Sequence, residues 1–325
     1  MKIAFIYYDF SSFVRHDHEI LSRHFDVEKV NYRKPLDVLR IAGSIWRSDV
    51  SFAWFASGHS FLAVLLSKMM GKKSIVIAGG YDVAFAPEIN YGQYTLGWHK
   101  RKYAEFALKN TDLVLAVSEF TKAEVIARAR PKKIEVIYNA IDICKFRPAS
   151  GKEEWTREDL VLTVASGLKN VIKLKGLDIF VEAAAYFPDV KFLVLGLSND
   201  DKETLKGIQS TNNVELRGYI NQDELISYYQ KAKIYCQLSY RESFGVALAE
   251  AMACGCVPVV TDRGALPEVV GDVGFYAPYG DLESTVFSIK NALRTNNGNS
   301  ARARIEERFS QRMRESRLLY AIERL

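Results

Sequence analysis

The chain has 325 residues, a formal charge of +5, 48% hydrophobic and 26% charged residues, which is ordinary for a soluble α/β protein and argues against a disordered, collagenous or disulfide-framed chain. Its length exceeds what one core usually covers, so two domains of about 150 residues are expected. No apolar run reaches the roughly eighteen residues of a membrane span, and Met1 leads straight into "KIAFIYY", so the expected compartment is the cytoplasm.

The charge is uneven. Residues 1–150 hold 22 Lys+Arg against 15 Asp+Glu, and residues 151–325 hold 22 against 24. A basic first half fits a phosphorylated or lipid-linked acceptor, a peripheral contact with the inner face of a membrane, or simply a lysine-rich solvated surface. Four cysteines stand at 144, 236, 254 and 256 without a companion cluster at ligand spacing, so neither a metal site nor a disulfide is expected.

Strand-like runs fall at 2–8, 50–56, 73–79, 112–118 and 133–139, with helical stretches at 61–71 and 120–130 between them. Continuous apolar strands alternating with helices predict a parallel sheet covered on both faces. After the Pro-, Gly- and charge-rich "ICKFRPASGKEEW" the pattern restarts, with strands at 160–166, 191–197, 213–219, 233–239 and 256–262, and helices at 176–187, 222–231, 245–254 and 282–293. The tail, 299–325, predicts one amphipathic helix whose apolar stripe is Ile305, Phe309, Met313, Leu318 and Ile322. Neither half contains G-x-G-x-x-G or a P-loop. The fold expected is α/β with two doubly wound, Rossmann-like halves facing a central cleft, and a ligand at the carboxyl ends of the strands.

One stretch carries chemistry. In "RESFGVALAEAMACGC", Ser243 is expected to cap a helix whose first amides make an anion site, with Gly245 allowing close approach. Ser243, Ala247 and Glu250 share a face, which places Glu250 roughly 10 Å along the helix, the reach from a diphosphate to a ribose. A carboxylate accepts from two adjacent hydroxyls, which gives a lone Glu among alanines a purpose.

The wider string "SYRESFGVALAEAMACGCVPVVTDRGALPEVVGD", with "VSEFTKAEVI" and "VIYNAIDICKFRP", resembles glycosyltransferase family 4, the group 1 glycosyl transferases of GT-B fold. The resemblance implies an acceptor-side domain over 1–148, a nucleotide-sugar domain over 149–304, and a terminal helix at 305–325 returning to the first domain. It implies a retaining transfer of a hexosyl group from a nucleoside diphosphate sugar to a hydroxyl acceptor, with no cofactor, no divalent metal and no nucleic acid. Carried over by position, Glu250 binds the ribose, Glu242 faces the donor sugar, and the Phe244, Gly245 and Val246 amides meet the diphosphate. Lys175 in "KLKG" is the matching phosphate lysine, while loops at Gly196 and Tyr219 shape the base and sugar pockets. Asp200 and Asp201 read as a surface turn.

Three departures stand out. Lys169 occupies the place of an arginine usual in the family, keeping charge without the bidentate fork. "YYDFSSFVRHDHEIL" replaces a glycine-rich loop, so Ser11 and Ser12 either donate to a substrate or cap a helix, with Arg15 or His16 available to the acceptor. Gly79 and Gly80 stand where the family has histidine then glycine. Tyr81, Asp82 or His59 would have to substitute, with Asp82 orienting a hydroxyl. Loss of that histidine keeps open a non-catalytic nucleotide-sugar-binding protein; a nucleotide-sugar epimerase of the same architecture is a further alternative, against which the family signature and the few acid–base candidates around Gly79 argue.

Overall fold

The computed structural model describes residues 1–34, 36–149, 157–165 and 170–325. They form two units, Met1–Asn139 with Arg312–Leu325, and Ala140–Gln311. The boundary thus falls at Asn139/Ala140, earlier than the expected 148/149. Ile141 is already committed to the second unit, its amide donating to the Phe309 carbonyl at 2.8 Å.

The first unit alternates β1 (Lys2–Tyr7), α1 (Ser12–His24), β2 (Asp26–Asn31), α2 (Asp37–Trp46), β3 (Val50–Trp54), α3 (Gly58–Met69), β4 (Lys73–Ala78), α4 (Trp98–Asn110), β5 (Leu113–Ala116), α5 (Glu119–Ala129) and β6 (Ile134–Val136). Its sheet is parallel in the order β2-β1-β3-β4-β5-β6. Side chains alternate across it as a pleat requires. Ile3, Phe5 and Tyr7 join Phe52 and Trp54 in one core, while Ala4 and Ile6 join Ala53 in another on the opposite face.

The second unit runs β7 (Glu158–Val164), α6 (Val171–Lys175), α7 (Leu177–Ala183), β8 (Lys191–Leu195), α8 (Asn199–Ile208), β9 (Val214–Leu216), α9 (Gln222–Lys231), β10 (Ala232–Gln237), α10 (Val246–Ala253), β11 (Val257–Thr261), α11 (Leu266–Val270), β12 (Phe275–Ala277), α12 (Leu282–Leu293) and α13 (Gly298–Arg308). Its parallel order is β12-β11-β10-β7-β8-β9. That is the doubly wound order with its switch point between β7 and β10, whereas the first sheet switches between β1 and β3. Each switch point leaves a crevice outside the carboxyl ends of two strands, because neighbouring crossovers leave in opposite directions.

The expected single tail helix is two helices, α13 and then α14 (Gln311–Glu323). The chain turns at Phe309 and Ser310, where Phe309 is buried against Phe244 with ring centroids 5.4 Å apart. Ile305, Phe309, Leu318 and Ile322 are buried, but Met313 is exposed, since the break rotates the stripe. From α14, Leu318, Ala321 and Ile322 enter the core built on Ile3 and Phe5. Buried Arg314 grips Asp17 of α1 in a two-pronged ion pair at 2.5 and 2.7 Å and donates to the Ile137 and Tyr138 carbonyls at 2.8 and 2.6 Å. Asp200 and Asp201 are also not a turn: they form the first turn of α8, where acidic residues suit the helix dipole and Ser198 caps the Asp201 amide at 3.1 Å.

Candidate functional site

At the switch point of the second sheet, β10 ends in Gln237 and α6 ends in Lys175. The Glu242 carboxylate, on the loop leaving β10, gathers three donors on one oxygen: the Lys175 ammonium, Gln237 Nε2 at 2.6 Å and Ser239 Oγ at 3.1 Å. Both members of the ion pair are largely shielded, at 13% and 15% side-chain exposure, so neither side chain is a loose surface charge. Gly264, after β11, lies so close that a Cβ there would stand 2.3 Å from the Glu242 carbonyl oxygen. The Ala265 amide donates to that oxygen at 2.9 Å, and only a glycine lets the two loops meet.

The helix α10 begins one residue after Gly245, which sits at φ +91°, a left-handed conformation that other residues rarely adopt. Gly245 is therefore the cap, and Ser243 lies two residues outside it, because the left-handed turn at Gly245 already directs the chain into the helix. Phe244 is buried and anchors the loop, and the first amides of α10 lack intrahelical partners, as at any helix start. Glu250 follows on the same helix, about 7 Å beyond Gly245 at roughly 1.5 Å per residue. Its Oε2 accepts from Tyr229 Oη at 3.4 Å, and burial pushes its pKa up to about 8. A part-buried carboxyl that gains two hydroxyl donors on ligand binding recovers what desolvation costs it.

Gly196 ends β8 at φ +86°, where a Cβ would stand 2.0 Å from the Ala165 carbonyl oxygen. Its place follows from backbone crowding at the sheet edge. Tyr219, after β9, is 89% exposed and available to a ligand. Lys169 lies outside the described residues.

The first unit's edge is built differently. Ser11 caps α1 by position without a side-chain bond to the helix amides, Ser12 is the first helical residue, and Arg15 is exposed beside the Phe10 ring at 5.6 Å. His59 and Asp82, named as candidates to replace the missing histidine, are both buried. His59 is buried with Nδ1 2.7 Å from Ser57 Oγ and Nε2 2.6 Å from the Trp54 carbonyl, and burial lowers its pKa to about 4. Asp82 is buried too, its two oxygens accepting the Ala56 and Gly80 amides at 2.6 and 2.7 Å, and desolvation raises its pKa to about 6. Both side chains clamp the loops that follow β3 and β4. Tyr81 remains 44% exposed, stacked edge-on against Tyr91.

Gly79 is occupied space. A Cβ there would stand 2.2 Å from Phe55 Cε1, so the Phe55 ring lies where a side chain at 79 would begin. Phe55 itself adopts φ +68°, a conformation that is an outlier for a bulky residue and gathers at functional sites. Nothing in the run "WFASGHSF" signals that strain. Gln237 and Ser239 were equally silent in the sequence, since both sit in an apolar strand pattern. Among the described residues no group of three or more His, Cys, Asp or Glu is gathered to hold a metal ion.

Two doubly wound units of this order, with an anion-ready edge on the second, define the GT-B class. Family models agree with that assignment: "Glycosyltransferase Family 4" matches residues 14–145 and "Glycosyl transferases group 1" matches residues 152–312. The chain belongs to glycosyltransferase family 4. It is 26% identical over 278 residues to a phosphatidylinositol N-acetylglucosaminyltransferase subunit from Arabidopsis thaliana, a match that takes in 76% of this chain and 61% of that longer one. It is 27% identical over 286 residues to N-acetyl-alpha-D-glucosaminyl L-malate synthase of Bacillus anthracis, covering 80% and 71%. Among solved structures, Anabaena Alr3699/HepE in complex with UDP and glucose superposes with a TM-score of 0.79 at 17% identity, over the whole of both chains.

Proposed function

We propose that the protein is a retaining glycosyltransferase that moves a hexosyl group from a nucleoside diphosphate sugar to a hydroxyl acceptor. The observation that carries this reading is the second unit's switch point, where Lys175 pairs with Glu242 and the helix α10, which starts just beyond, carries Glu250. Diphosphate oxygens would meet the α10 amides and the Lys175 ammonium, and the ribose hydroxyls would donate to Glu250. As the bond from the anomeric carbon to the diphosphate oxygen breaks, negative charge grows on that oxygen and Lys175 stabilises it. The acceptor oxygen bonds to the same face of the anomeric carbon, and its proton passes to the leaving diphosphate. Such a step needs positioning and charge stabilisation more than a protein base.

The reading extends to a transfer that needs no divalent ion, tested by activity after chelation. It also extends to a cytoplasmic protein that works at an anionic membrane face. Exposed Leu36, Leu39 and Trp46 around α2, with Arg33 and Lys34 beside them, support that extension. Malate and phosphatidylinositol in the relatives' names favour an acceptor that carries negative charge.

Calorimetric titration with UDP-, GDP- and ADP-sugars, with donor hydrolysis followed in the same samples, tests the core of the proposal. Selective binding that Glu250→Ala abolishes, together with slow hydrolysis, supports it, and the anomeric configuration of the product sugar tests retention. Nucleotide-sugar binding without transfer is the second reading, favoured by one observation: His59 and Asp82, two of the candidates to replace the missing histidine, are turned inward. Donor binding with no turnover toward any acceptor would select it.

A further inference from the structure

Among the described residues, the two lysines of α6 do not carry free charge. Lys175 is paired with Glu242, and Lys173, on the same short helix, with Asp178 at 2.5 Å. A diphosphate arriving there would meet a Lys175 ammonium already answered by a carboxylate. That leaves room for a further cation among the described residues of this edge.

Arg263 fits that need. It follows β11, and the strand order β12-β11-β10 sets it between Tyr279, which follows β12, and Tyr240, which follows β10. Its Cζ lies 4.6 Å from the Tyr240 ring centroid and 5.2 Å from that of Tyr279, and the two rings meet edge to face at 5.1 Å. Among the described residues no carboxylate pairs with this guanidinium. Both contacts are made through the rings and take up none of the guanidinium's N–H donors.

The frame is tied to the Lys175–Glu242 pair from two sides. The Tyr240 amide donates to the Leu174 carbonyl at 2.9 Å and Tyr279 Oη donates to the Lys173 carbonyl at 2.7 Å, so both rings are fastened to α6. On the other side, Gly264 presses on the Glu242 backbone and Ala265 donates to it. A planar fork in this position matches phosphoryl oxygens two at a time, which an ammonium cannot do.

We infer that Arg263, packed against the perpendicular rings of Tyr240 and Tyr279, is a phosphoryl-binding residue of this edge and supplies the bidentate fork that Lys169 lacks. The ligand chemistry is a phosphoryl group, presented by the donor's diphosphate or by a phosphorylated acceptor. This inference rests on the proposed function for its setting, but its test does not depend on turnover.

The experiment is calorimetric titration of the full chain with inorganic pyrophosphate, UDP, and inositol 3-phosphate added after UDP. It compares wild type with Arg263→Gln, Arg263→Lys and Tyr279→Leu, each checked for an unchanged melting temperature. Loss of a charged bidentate contact is expected to weaken binding about 10- to 100-fold. Arg263→Lys should recover part of it and Tyr279→Leu should lose less than Arg263→Gln. Weakened pyrophosphate and UDP binding assigns the donor diphosphate as the source; UDP binding kept while inositol 3-phosphate binding falls assigns the acceptor. Equal affinities for all three probes in Arg263→Gln and wild type overturn the inference and leave the proposed function standing. Arg263-dependent pyrophosphate binding in a protein that binds no nucleotide or nucleotide sugar would do the reverse. A wild type that binds none of the probes overturns both.

Discussion

The carboxyl edges of the two sheets share an architecture and differ in what they present. At the second edge, charged and polar side chains converge: Lys175, Gln237 and Ser239 on Glu242, with Glu250 one helix further on. At the first edge, His59 and Asp82 are turned inward, and the half-buried rings of Phe13 and Phe55 pack over the core. His59 and Asp82 are spent on backbone groups, while Phe55 covers Gly79 and Phe13 packs edge-on against Phe55 with centroids 6.0 Å apart. The lesson is that a doubly wound sheet supplies a crevice at its switch point but not a chemistry.

The largest expected effect sits at the polar edge. Lys175→Ala should lower turnover about 100- to 1,000-fold, the usual consequence of removing a group that meets developing charge, measured as steady-state donor hydrolysis or transfer. Activity within about threefold of wild type would erase the contrast between the edges.

Next comes the lock beneath the aromatic edge. Arg314→Ala strands Asp17 as a buried, unpaired charge and should cost the first unit about 3–5 kcal/mol. Urea unfolding would show an early transition confined to that unit, with α14 becoming open to proteolysis. A single unshifted transition would count against the lock.

A smaller change probes Phe55. Gly79→Ala forces the new methyl into the ring and should destabilise by about 1–3 kcal/mol. Phe55→Gly, which removes both the ring and the strained backbone, should restore the melting temperature of the double variant. If Gly79→Ala is as stable as wild type, the ring does not fill that space.

The smallest effect is one of pH. Folding raises the Glu250 pKa from 4.5 to about 8, so between those values the native state keeps a proton that the unfolded chain has lost. The stability it contributes is full below about pH 4.5 and is lost as pH rises through 8. Glu250→Gln carries no such titration, and its melting temperature should gain on wild type between pH 5 and 9. Donor binding by wild type, relative to the variant, should tighten over the same range, because the ribose hydroxyls need the carboxylate. A pH-independent difference between the two proteins would mean that Glu250 is ionised throughout.

Much of this was legible in the chain. Apolar runs alternating with helical stretches set out two parallel sheets, and the spacing of Glu242, Gly245 and Glu250 marked the second edge. Edge and covering elements were less so: β2, with its exposed Asp26 and Lys29, and α8, with its acidic first turn, have too little apolar character to signal themselves. Pattern reading sees burial, and these elements bury only one stripe.

What the sequence determined by itself is therefore local: periodicity, a helix start that needs glycine, a carboxylate at a fixed rise along a helix. Only the tertiary structure decided which polar groups face outward. His59 and Asp82 stood as candidates until the loops after β3 and β4 closed on them, and nothing in the sequence singles out Arg263, against which strands distant in sequence bring two tyrosine rings. Those outcomes depend on desolvation and on contacts between strand ends far apart in the chain, and neither is written in any one stretch of it.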